Sequence, residues 1–227
     1  MTLKKIILSF YILLLFSCTT NVIISKGEAF PKMYKEKPLS ILVLPPLNSS
    51  TAVESKEYYI TTIAEPLSLS GFYVMPIEIV NQIMKDEGIN DSSEFLNLDP
   101  KIFNEHFGSD AILFTEIVKW DTSYAVISGS VTVQIIFLLK SSYTGEVLWS
   151  YNEQVTVDTT GDNNIGGSMG LILALVETAI KTAVQDYIPI AKQVNNIAIS
   201  TIPVGKYHSK HNLDQEDSGV NKNKITK

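Results

Sequence analysis

The stretch VTVQIIFLLKSSYTGEVLWSY, residues 131–151, contains the strongest folding signal in the sequence. Apolar side chains occupy alternate positions on both sides of its turn: Val131, Val133, Ile135, Phe137, Leu139, Val147, Trp149 and Tyr151. A period of two is typical of strands with one buried face, and the turn at 141–145 predicts an antiparallel hairpin. Ile136 and Leu138 make the other face apolar as well, which predicts that part of it is covered.

Strands and helices alternate along the rest of the chain. The predicted strands are 40–46, 72–75, 111–120, 124–140 and 147–151, and the predicted helices are 51–67, 76–88, 99–108 and 171–187, the last continuing past Pro189 to Ala198. Thr51 and Glu54 form a capping box for the first helix, while Asp99 caps the third. This order predicts an α/β (α+β) fold of one domain, a mixed sheet with helices packed on it.

The first eighteen residues have the layout of a secretory signal peptide. Lys4 and Lys5 precede an apolar run at 6–16, which is shorter than the ~20 residues that a membrane-spanning helix needs. The end of the run, LFSC at 15–18, resembles the lipobox of bacterial lipoproteins, in which the cysteine is lipidated. We therefore expect a signal peptide at 1–17 and a lipid anchor on Cys18.

The resemblance to lipoproteins also implies a location. One acyl chain anchors a protein only marginally, and the lipoprotein pathway supplies a diacylglycerol and usually a third chain. Thr19 stands where aspartate acts as the usual inner-membrane retention signal, so the implied destination is the outer membrane, on its periplasmic face. We expect residues 18–37 to be the lipidated N-terminus and a tether, 38–208 the folded domain, and 209–227 a disordered polar tail.

Composition narrows the classes of function. All eighteen basic residues are lysines and the sequence pI is about 5.1. Arginine, which recognises phosphates and bases in a bidentate way, is absent, and acidic residues outnumber basic ones. Both observations argue against nucleic-acid binding. The single cysteine excludes an intramolecular disulfide, so the hydrophobic core has to hold the domain together.

Two patterns that resemble cofactor sites have simpler interpretations. The glycine-rich GDNNIGGSMG at 161–170 lacks the Gly-Lys-Ser/Thr ending of a phosphate loop, and Asp162 would repel phosphate. We interpret it as a loop that opens a helix. His208 and His211 lie in a polar tail and His106 stands alone, which is too few ligands for a structural zinc site. We expect no cofactor and no metal.

Catalytic patterns are equally sparse. Ser128-Gly129-Ser130 is not a nucleophile elbow, and its glycine predicts a strand bulge or a close backbone approach. The carboxylate pairs Glu54/Glu57 and Glu116/Asp121 are explained by solvated faces and strand ends. An inward-facing carboxylate pair for glycoside chemistry stays open at this stage. We predict no catalytic residues and a protein that is not an enzyme.

Several phrases together resemble a family of small bacterial lipoproteins of unknown function. They are LPPLNSST at 44–51, Pro66-Leu67, GFYVMP at 71–76, FGSDAILF at 107–114, TGEVLW at 144–149 and IPVGKYH at 202–208. The one departure is Ser109 in place of an alanine. The resemblance implies a fold similar to the N-terminal domain of TolB, no established catalytic residues, and genes that often neighbour a CsgG-like lipoprotein.

The leading functional hypothesis is a membrane-anchored, non-catalytic protein-binding module of an envelope transport or secretion assembly. Its partners would be the membrane, through the lipid anchor, and another envelope protein such as a CsgG-like lipoprotein. A homo-oligomer is left open, and nucleic acid is not expected as a partner. Two alternatives remain: an envelope hydrolase, and a carrier of a small apolar ligand between helices and sheet.

Overall fold

A computed structural model describes residues 22–89, 92–95, 98–124, 129–158, 187–222 and 225. Within these ranges no helix combines the length and apolar character needed to cross a bilayer. Five sequence-predicted features lie outside the described residues: the signal peptide at 1–17, Cys18, Ser128, the glycine-rich stretch at 161–170, and the helix at 171–187 apart from its last residue.

The described ranges form eight strands, six α-helices and a 3-10 turn at Ser92–Phe95. The strands are β1 (Ile23–Ser25), β2 (Ser40–Val43), β3 (Leu47–Asn48), β4 (Tyr73–Val74), β5 (Ala111–Tyr124), β6 (Gly129–Ser141), β7 (Val147–Asp158) and β8 (Ser218–Asn221). The helices are α1 (Lys26–Ala29), α2 (Pro31–Glu36), α3 (Ser55–Leu69), α4 (Ile77–Asp86), α5 (Lys101–Phe107) and α6 (Ile188–Ser200).

The main sheet is mixed, as predicted. Its strand order is β4-β2-β5-β6-β7, and β3 adds to it by pairing with β5. Strands β2, β3 and β4 make parallel pairs, whereas β5, β6 and β7 form an antiparallel meander. With helices packed on it, this sheet confirms the predicted α/β (α+β) fold class.

The predicted hairpin is confirmed with its register. Phe137 pairs with Tyr151 and Leu139 with Trp149, so the apolar positions of both strands face the same side. The predicted strand at 124–140 is instead divided, because Tyr124 ends β5 and pairs with Gly129 of β6. Gly129 is therefore a strand end and not a bulge; the register shift of this pair lies around Val118.

The two faces of the main sheet carry separate cores. On the first face, α3 and α6 cover the sheet, and the largest cluster includes the fully buried Tyr59, Ile63, Phe137 and Trp149. On the second face, α4, the 3-10 turn and α5 cover a smaller cluster of Leu42, Leu44, Val80, Met84, Phe95, Phe103, Ile112 and Phe114. Strand β2 contributes to both cores, which is why its run of apolar residues is continuous.

The starts of two helices differ from the predicted caps. α3 begins at Ser55 with Glu54 at the N-cap and no side-chain cap hydrogen bond, so the Thr51 capping box is wrong. Asn48 organises this turn instead: its Oδ1 accepts hydrogen bonds from Ser50 N at 3.0 Å and Ser50 Oγ at 2.7 Å. Pro100 is the N-cap of α5, one residue later than the predicted Asp99, although Asp99 Oδ1 accepts a hydrogen bond from Lys101 N at 3.0 Å.

Residues 22–36 and 209–222, near the two ends of the chain, are more structured than predicted. Strand β1 pairs antiparallel with β8, and we call this pair the terminal ribbon. Ile24 and Val220, one from each strand, are buried in the main core. The predicted tether is therefore wrong for residues 22–36, which form β1, α1 and α2, and the predicted disordered tail is wrong for residues 209–222.

A buried charged cluster fastens the ribbon to the domain; we call Lys26, Tyr34 and Asp214 the clasp. Asp214 is fully buried, and its carboxylate accepts hydrogen bonds from Tyr34 OH at 3.1 Å and Val204 N at 2.9 Å. Lys26 Nζ lies 3.7 Å from the same carboxylate and donates to Ile202 O at 2.7 Å. Burial lowers the pKa of Lys26, although Asp214 acts in the opposite direction.

Candidate functional site

A mostly apolar groove lies on the second face of the main sheet, where the helical cover ends. Leu47, Phe114, Glu116, Ile136 and Leu138 line it, together with Ser92 of the 3-10 turn. Its volume is about 110 Å³. Ile136 and Leu138 are the two apolar residues that the sequence placed on the far face of β6, and both are only partly buried.

Polar groups surround the groove. Glu116 accepts a hydrogen bond from Ser49 Oγ at 2.8 Å. Lys140 Nζ lies 5.2 Å from the centre of the Phe114 ring, within the range of a cation–π contact. Further along the same face, Gln134 Nε2 donates to Asn152 Oδ1 at 3.1 Å. The result is an apolar depression with charged and amide side chains at its edges.

Two of the sequence motifs meet at this groove. LPPLNSST contributes Leu47, which β3 holds against β5, and FGSDAILF contributes Phe114 from β5 itself. The pairing of Leu47 with Glu116 is a contact between segments about seventy positions apart in the chain. Alternation within single strands therefore indicated the apolar residues but not the groove that they form together.

A second motif cluster lies at the start of the parallel strands, around Asp110. Its Oδ2 accepts hydrogen bonds from Leu39 N at 2.9 Å, Ser40 N at 3.0 Å and Ser40 Oγ at 3.1 Å. Its Oδ1 accepts from Tyr143 OH at 2.6 Å. Asp110 therefore joins the beginning of β2 to the beginning of β5 and to the β6–β7 turn. Asp110 belongs to the FGSDAILF motif, but the sequence did not predict its partners.

The hydrogen bonds around Asp110 also set its charge state. Burial alone would raise the pKa of Asp110, but the bonds from Tyr143, Leu39 and Ser40 outweigh it and hold the pKa below its usual value. A lowered pKa means that the folded state holds the proton less tightly than the unfolded chain does. The stabilisation provided by the charged Asp110 carboxylate is therefore present above the pKa of the unfolded chain, and it is lost as the pH falls through the pKa of the folded state.

We expect Asp110→Asn to lower the free energy of unfolding by about 1–3 kcal/mol at neutral pH, because charged acceptors make the stronger hydrogen bonds. The difference from the wild type should shrink as the pH falls below ~3.9, the ordinary value for an unfolded aspartate. Urea unfolding at several pH values measures both effects. Glu105→Gln, on the exposed surface of α5, is the control. A difference as large at pH 3 as at pH 7 would contradict this account.

The remaining sequence candidates occupy ordinary structural positions. His106 is exposed on α5, as expected for a surface residue. His208 Nδ1 accepts from Lys210 N at 3.1 Å, and His211 Nδ1 contacts Val204 O at 3.2 Å, so both tail histidines bond backbone groups. No three His, Cys, Asp or Glu side chains of the described ranges come together as a metal site.

The carboxylate candidates are separated. Glu116 bonds Ser49 at the groove, whereas Asp121 forms an exposed ion pair with Lys119 at 3.3 Å. Glu54 and Glu57 lie at the start of α3, with Glu57 in its first turn, where negative charge suits the positive end of the helix dipole. Each of these positions has a structural explanation.

Comparisons with known proteins identify the lipoprotein family that the sequence motifs resemble. A family model described as "Putative lipoprotein GNA1162-like" matches residues 29–208. The "Putative lipoprotein NMB1124/NMB1162" of Neisseria meningitidis serogroup B is 31% identical over 154 residues, which make up 67% of this chain and 71% of that protein. The crystal structure of lipoprotein GNA1162 from Neisseria meningitidis is 31% identical, with a TM-score of 0.50 over 64% of this chain and 97% of that chain.

These findings support the mixed sheet and the lipoprotein assignment together. The family match covers the main sheet and all its helices except most of α1. The likeness to the N-terminal domain of TolB stays a prediction, as does lipidation at Cys18. The chain belongs to the GNA1162-like family of lipoproteins.

Proposed function

We propose that this protein is a lipid-anchored, non-catalytic docking module that binds another protein of the cell envelope through the groove on the second face of its sheet. The anchor is the lipidated Cys18, and the folded domain works at the periplasmic face of the outer membrane. The bound protein is a component of a transport or secretion assembly, and the CsgG-like lipoprotein implied by the family resemblance is the first candidate.

The observation that carries this proposal is the size and lining of the groove. Pockets that enclose whole small molecules usually measure ~300–1,000 Å³. The groove measures about 110 Å³ and is mainly apolar, which suits one or two aliphatic side chains of a partner. Apolar anchors set in small pockets and surrounded by polar rims are typical of the strongest contacts in protein interfaces. Its small volume counts against the alternative of an apolar-ligand carrier.

Three titratable groups with fixed hydrogen-bond partners, Asp110, Asp214 and Tyr59, support a non-catalytic role. Asp110 accepts four hydrogen bonds that join strand ends, and Asp214 forms the centre of the clasp. Tyr59, whose pKa is raised by burial, bonds Thr115 between α3 and β5 at 2.7 Å. Groups committed to such contacts hold the fold together, which gives the hydrolase alternative little support.

The anchor gives a direct prediction. We expect Cys18→Ala to move the protein from the membrane fraction to the soluble fraction, because acyl chains and not a spanning helix hold it at the bilayer. Its melting temperature should equal that of the detergent-solubilised wild type, since residue 18 precedes β1, the first element of the described fold. Fractionation and thermal denaturation measure the two quantities. Retention of Cys18→Ala in the membrane would contradict the lipid anchor.

The docking surface is tested by photo-cross-linking in intact cells. A photoreactive amino acid replaces Ile136 in the groove, and mass spectrometry identifies the covalent products. We expect one dominant envelope protein to be captured, because Ile136 lines the groove in which the partner is proposed to dock.

The matched control replaces Ile79, another apolar residue, which is 60% exposed on α4 outside the groove. Thermal denaturation verifies that both variants are folded. Capture by position 136 and not by position 79 supports the groove as the docking site. Equal capture at both positions, or none at 136 in folded protein, would contradict it.

A further inference from the structure

Three exposed apolar side chains lie close together at the end of α3. Leu69 and Tyr73 are each two positions from Gly71 in the sequence, and Tyr207 N donates a hydrogen bond to Gly71 O at 3.1 Å. Two residues span at most ~7 Å, so the backbones of all three lie within a small area. We call Leu69, Tyr73 and Tyr207 the apolar corner; they are 69%, 51% and 68% exposed.

Hydrogen bonds fix the backbone that carries the apolar corner. Gly205 N donates to Ser70 O at 2.8 Å, and His208 N donates to Gly205 O at 3.1 Å, so Tyr207 lies in a loop held against the end of α3. Side chains on a fixed backbone lose little conformational entropy when a partner binds them. Single exposed apolar residues are normal on a protein surface, whereas grouped ones mark interaction sites. The apolar corner is therefore a candidate interaction surface.

Two lysines lie beside the apolar corner. Lys206 precedes Tyr207 in the sequence, and Lys37 lines a small cavity together with Phe72 and Gly205, which belong to the two segments that meet at the corner. Both lysines are exposed. Neither forms an ion pair with any residue that the structure describes. Their charges are therefore available to a partner.

We propose that the apolar corner binds an acidic segment of another protein, whose carboxylates pair with the two lysines while its apolar side chains contact the corner. The chain as a whole has 24 acidic residues against 18 lysines, so unpaired cations beside an exposed apolar group favour a partner of opposite charge. Tyrosine, which supplies two of the three corner side chains, is enriched in protein interfaces. No residue of the corner lines the groove, so this surface is a second docking site beyond the proposed function.

An anionic bilayer fits the apolar corner less well than a protein does. Recognition of anionic lipids uses clusters of about 4–8 lysines or arginines. In the described part of the chain, the corner has only Lys37 and Lys206 as unpaired neighbours on the segments that form it. A fixed arrangement of side chains also benefits binding to a partner of complementary shape, which a fluid bilayer is not.

The test uses a probe selected from random peptides. A displayed library of short random peptides is selected on the full-length protein purified in detergent, and the most enriched peptide is synthesised with a fluorescent label. We expect this peptide to combine acidic with apolar residues. Fluorescence anisotropy then measures its affinity for variants whose folding is verified by thermal denaturation.

Two variants of the corner should weaken binding of the selected peptide. Tyr207→Ser should lower the affinity about tenfold or more, the effect of losing a central aromatic contact. Lys37→Gln/Lys206→Gln should lower it about fivefold, which corresponds to two exposed ion pairs.

Matched variants remove similar groups elsewhere on the surface. Ile79→Ser removes an apolar side chain that is 60% exposed on α4, and Lys85→Gln/Lys101→Gln removes two exposed lysines of α4 and α5. Both should bind the selected peptide as tightly as the wild type does.

Three results would overturn the inference. The first is an enriched peptide without acidic residues, or an affinity that survives Lys37→Gln/Lys206→Gln. The second is loss of binding in Ile136→Asp, which would place the peptide in the groove. The third is displacement of the peptide by dihexanoyl phosphatidylglycerol and not by dihexanoyl phosphatidylcholine, which would assign the corner to lipid headgroups.

Discussion

Replacing Gly71 with alanine is expected to lower the free energy of unfolding by more than about 3 kcal/mol, which few single substitutions reach. Gly71 has φ +87°, in the left-handed region, and an added Cβ would overlap the backbone nitrogen of His208. The Cβ would also lie 2.8 Å from Gly205 O. Backbone atoms cannot move aside as a flexible side chain can, so the two segments would separate.

The contact at Gly71 joins two of the sequence motifs. Gly205 N donates to Ser70 O at 2.8 Å, and Tyr207 N donates to Gly71 O at 3.1 Å. GFYVMP at the end of α3 and IPVGKYH after α6 therefore touch backbone to backbone. Gly205→Ala should have a similar effect, because its Cβ would overlap Gly71 O from the opposite side.

The matched control for Gly71→Ala is Gly88→Ala. Gly88 has nearly the same φ of +81°, but an added Cβ there meets no atom within 4 Å. Only the backbone strain of the left-handed conformation remains, which costs about 1 kcal/mol. Urea unfolding of both variants separates the cost of backbone strain from the cost of the steric overlap with His208 and Gly205. Similar losses at the two positions would contradict the close backbone approach.

Local patterns made the sheet predictable from the sequence. The β6–β7 hairpin depends on alternation within about twenty residues and on a turn between them, so its signal is complete in one stretch. Pro76 and Gly88 indicated the two ends of α4 in the same way, and Pro100 and Gly108 those of α5. The strand predicted at 124–140 is confirmed from Gly129 onward as β6, but its first residue, Tyr124, belongs to β5. Alternation alone does not show which of two adjacent strands a residue joins.

Contacts between distant residues were not predictable in this way. The clasp joins Lys26 to Ile202 and Tyr34 to Asp214, pairs separated by 176 and 180 positions. Both segments are polar and weakly patterned, so each by itself resembles a tether or a disordered tail. The groove was not predictable for the same reason, because Leu47, Phe114 and Ile136 come from three different strands. The family resemblance picked out motifs that contribute to the groove and to the contact at Gly71. Which residues of these motifs touch each other depends on tertiary packing, which the sequence does not show.

Breaking the clasp is expected to destabilise the protein about as much as the substitutions at Gly71 and Gly205. We expect Asp214→Ala to lower the free energy of unfolding by about 3–5 kcal/mol, the usual effect of breaking a buried ion pair from one side. The substitution leaves the Lys26 ammonium buried without its counter-charge and removes the acceptor of Tyr34 OH and Val204 N. Guanidinium or urea unfolding measures the loss, and faster proteolysis of the terminal ribbon should accompany it.

The chain contains a second, exposed ion pair with which the clasp can be compared. Lys210 and Asp217 are also 3.7 Å apart, but their side chains are 63% and 47% exposed, against 11% and 0% for Lys26 and Asp214. Asp217→Ala should therefore cost less than about 1 kcal/mol, because water already solvates both charges. The distance between the charges is the same in both pairs, so a difference between the two losses reflects the burial of Asp214 together with the two hydrogen bonds that it accepts. Equal losses for Asp214→Ala and Asp217→Ala would show that the clasp is not held by its buried carboxylate, and the ribbon would then have to be fastened by the apolar packing of Ile24 and Val220 and by the hydrogen bond from Lys26 to Ile202 O.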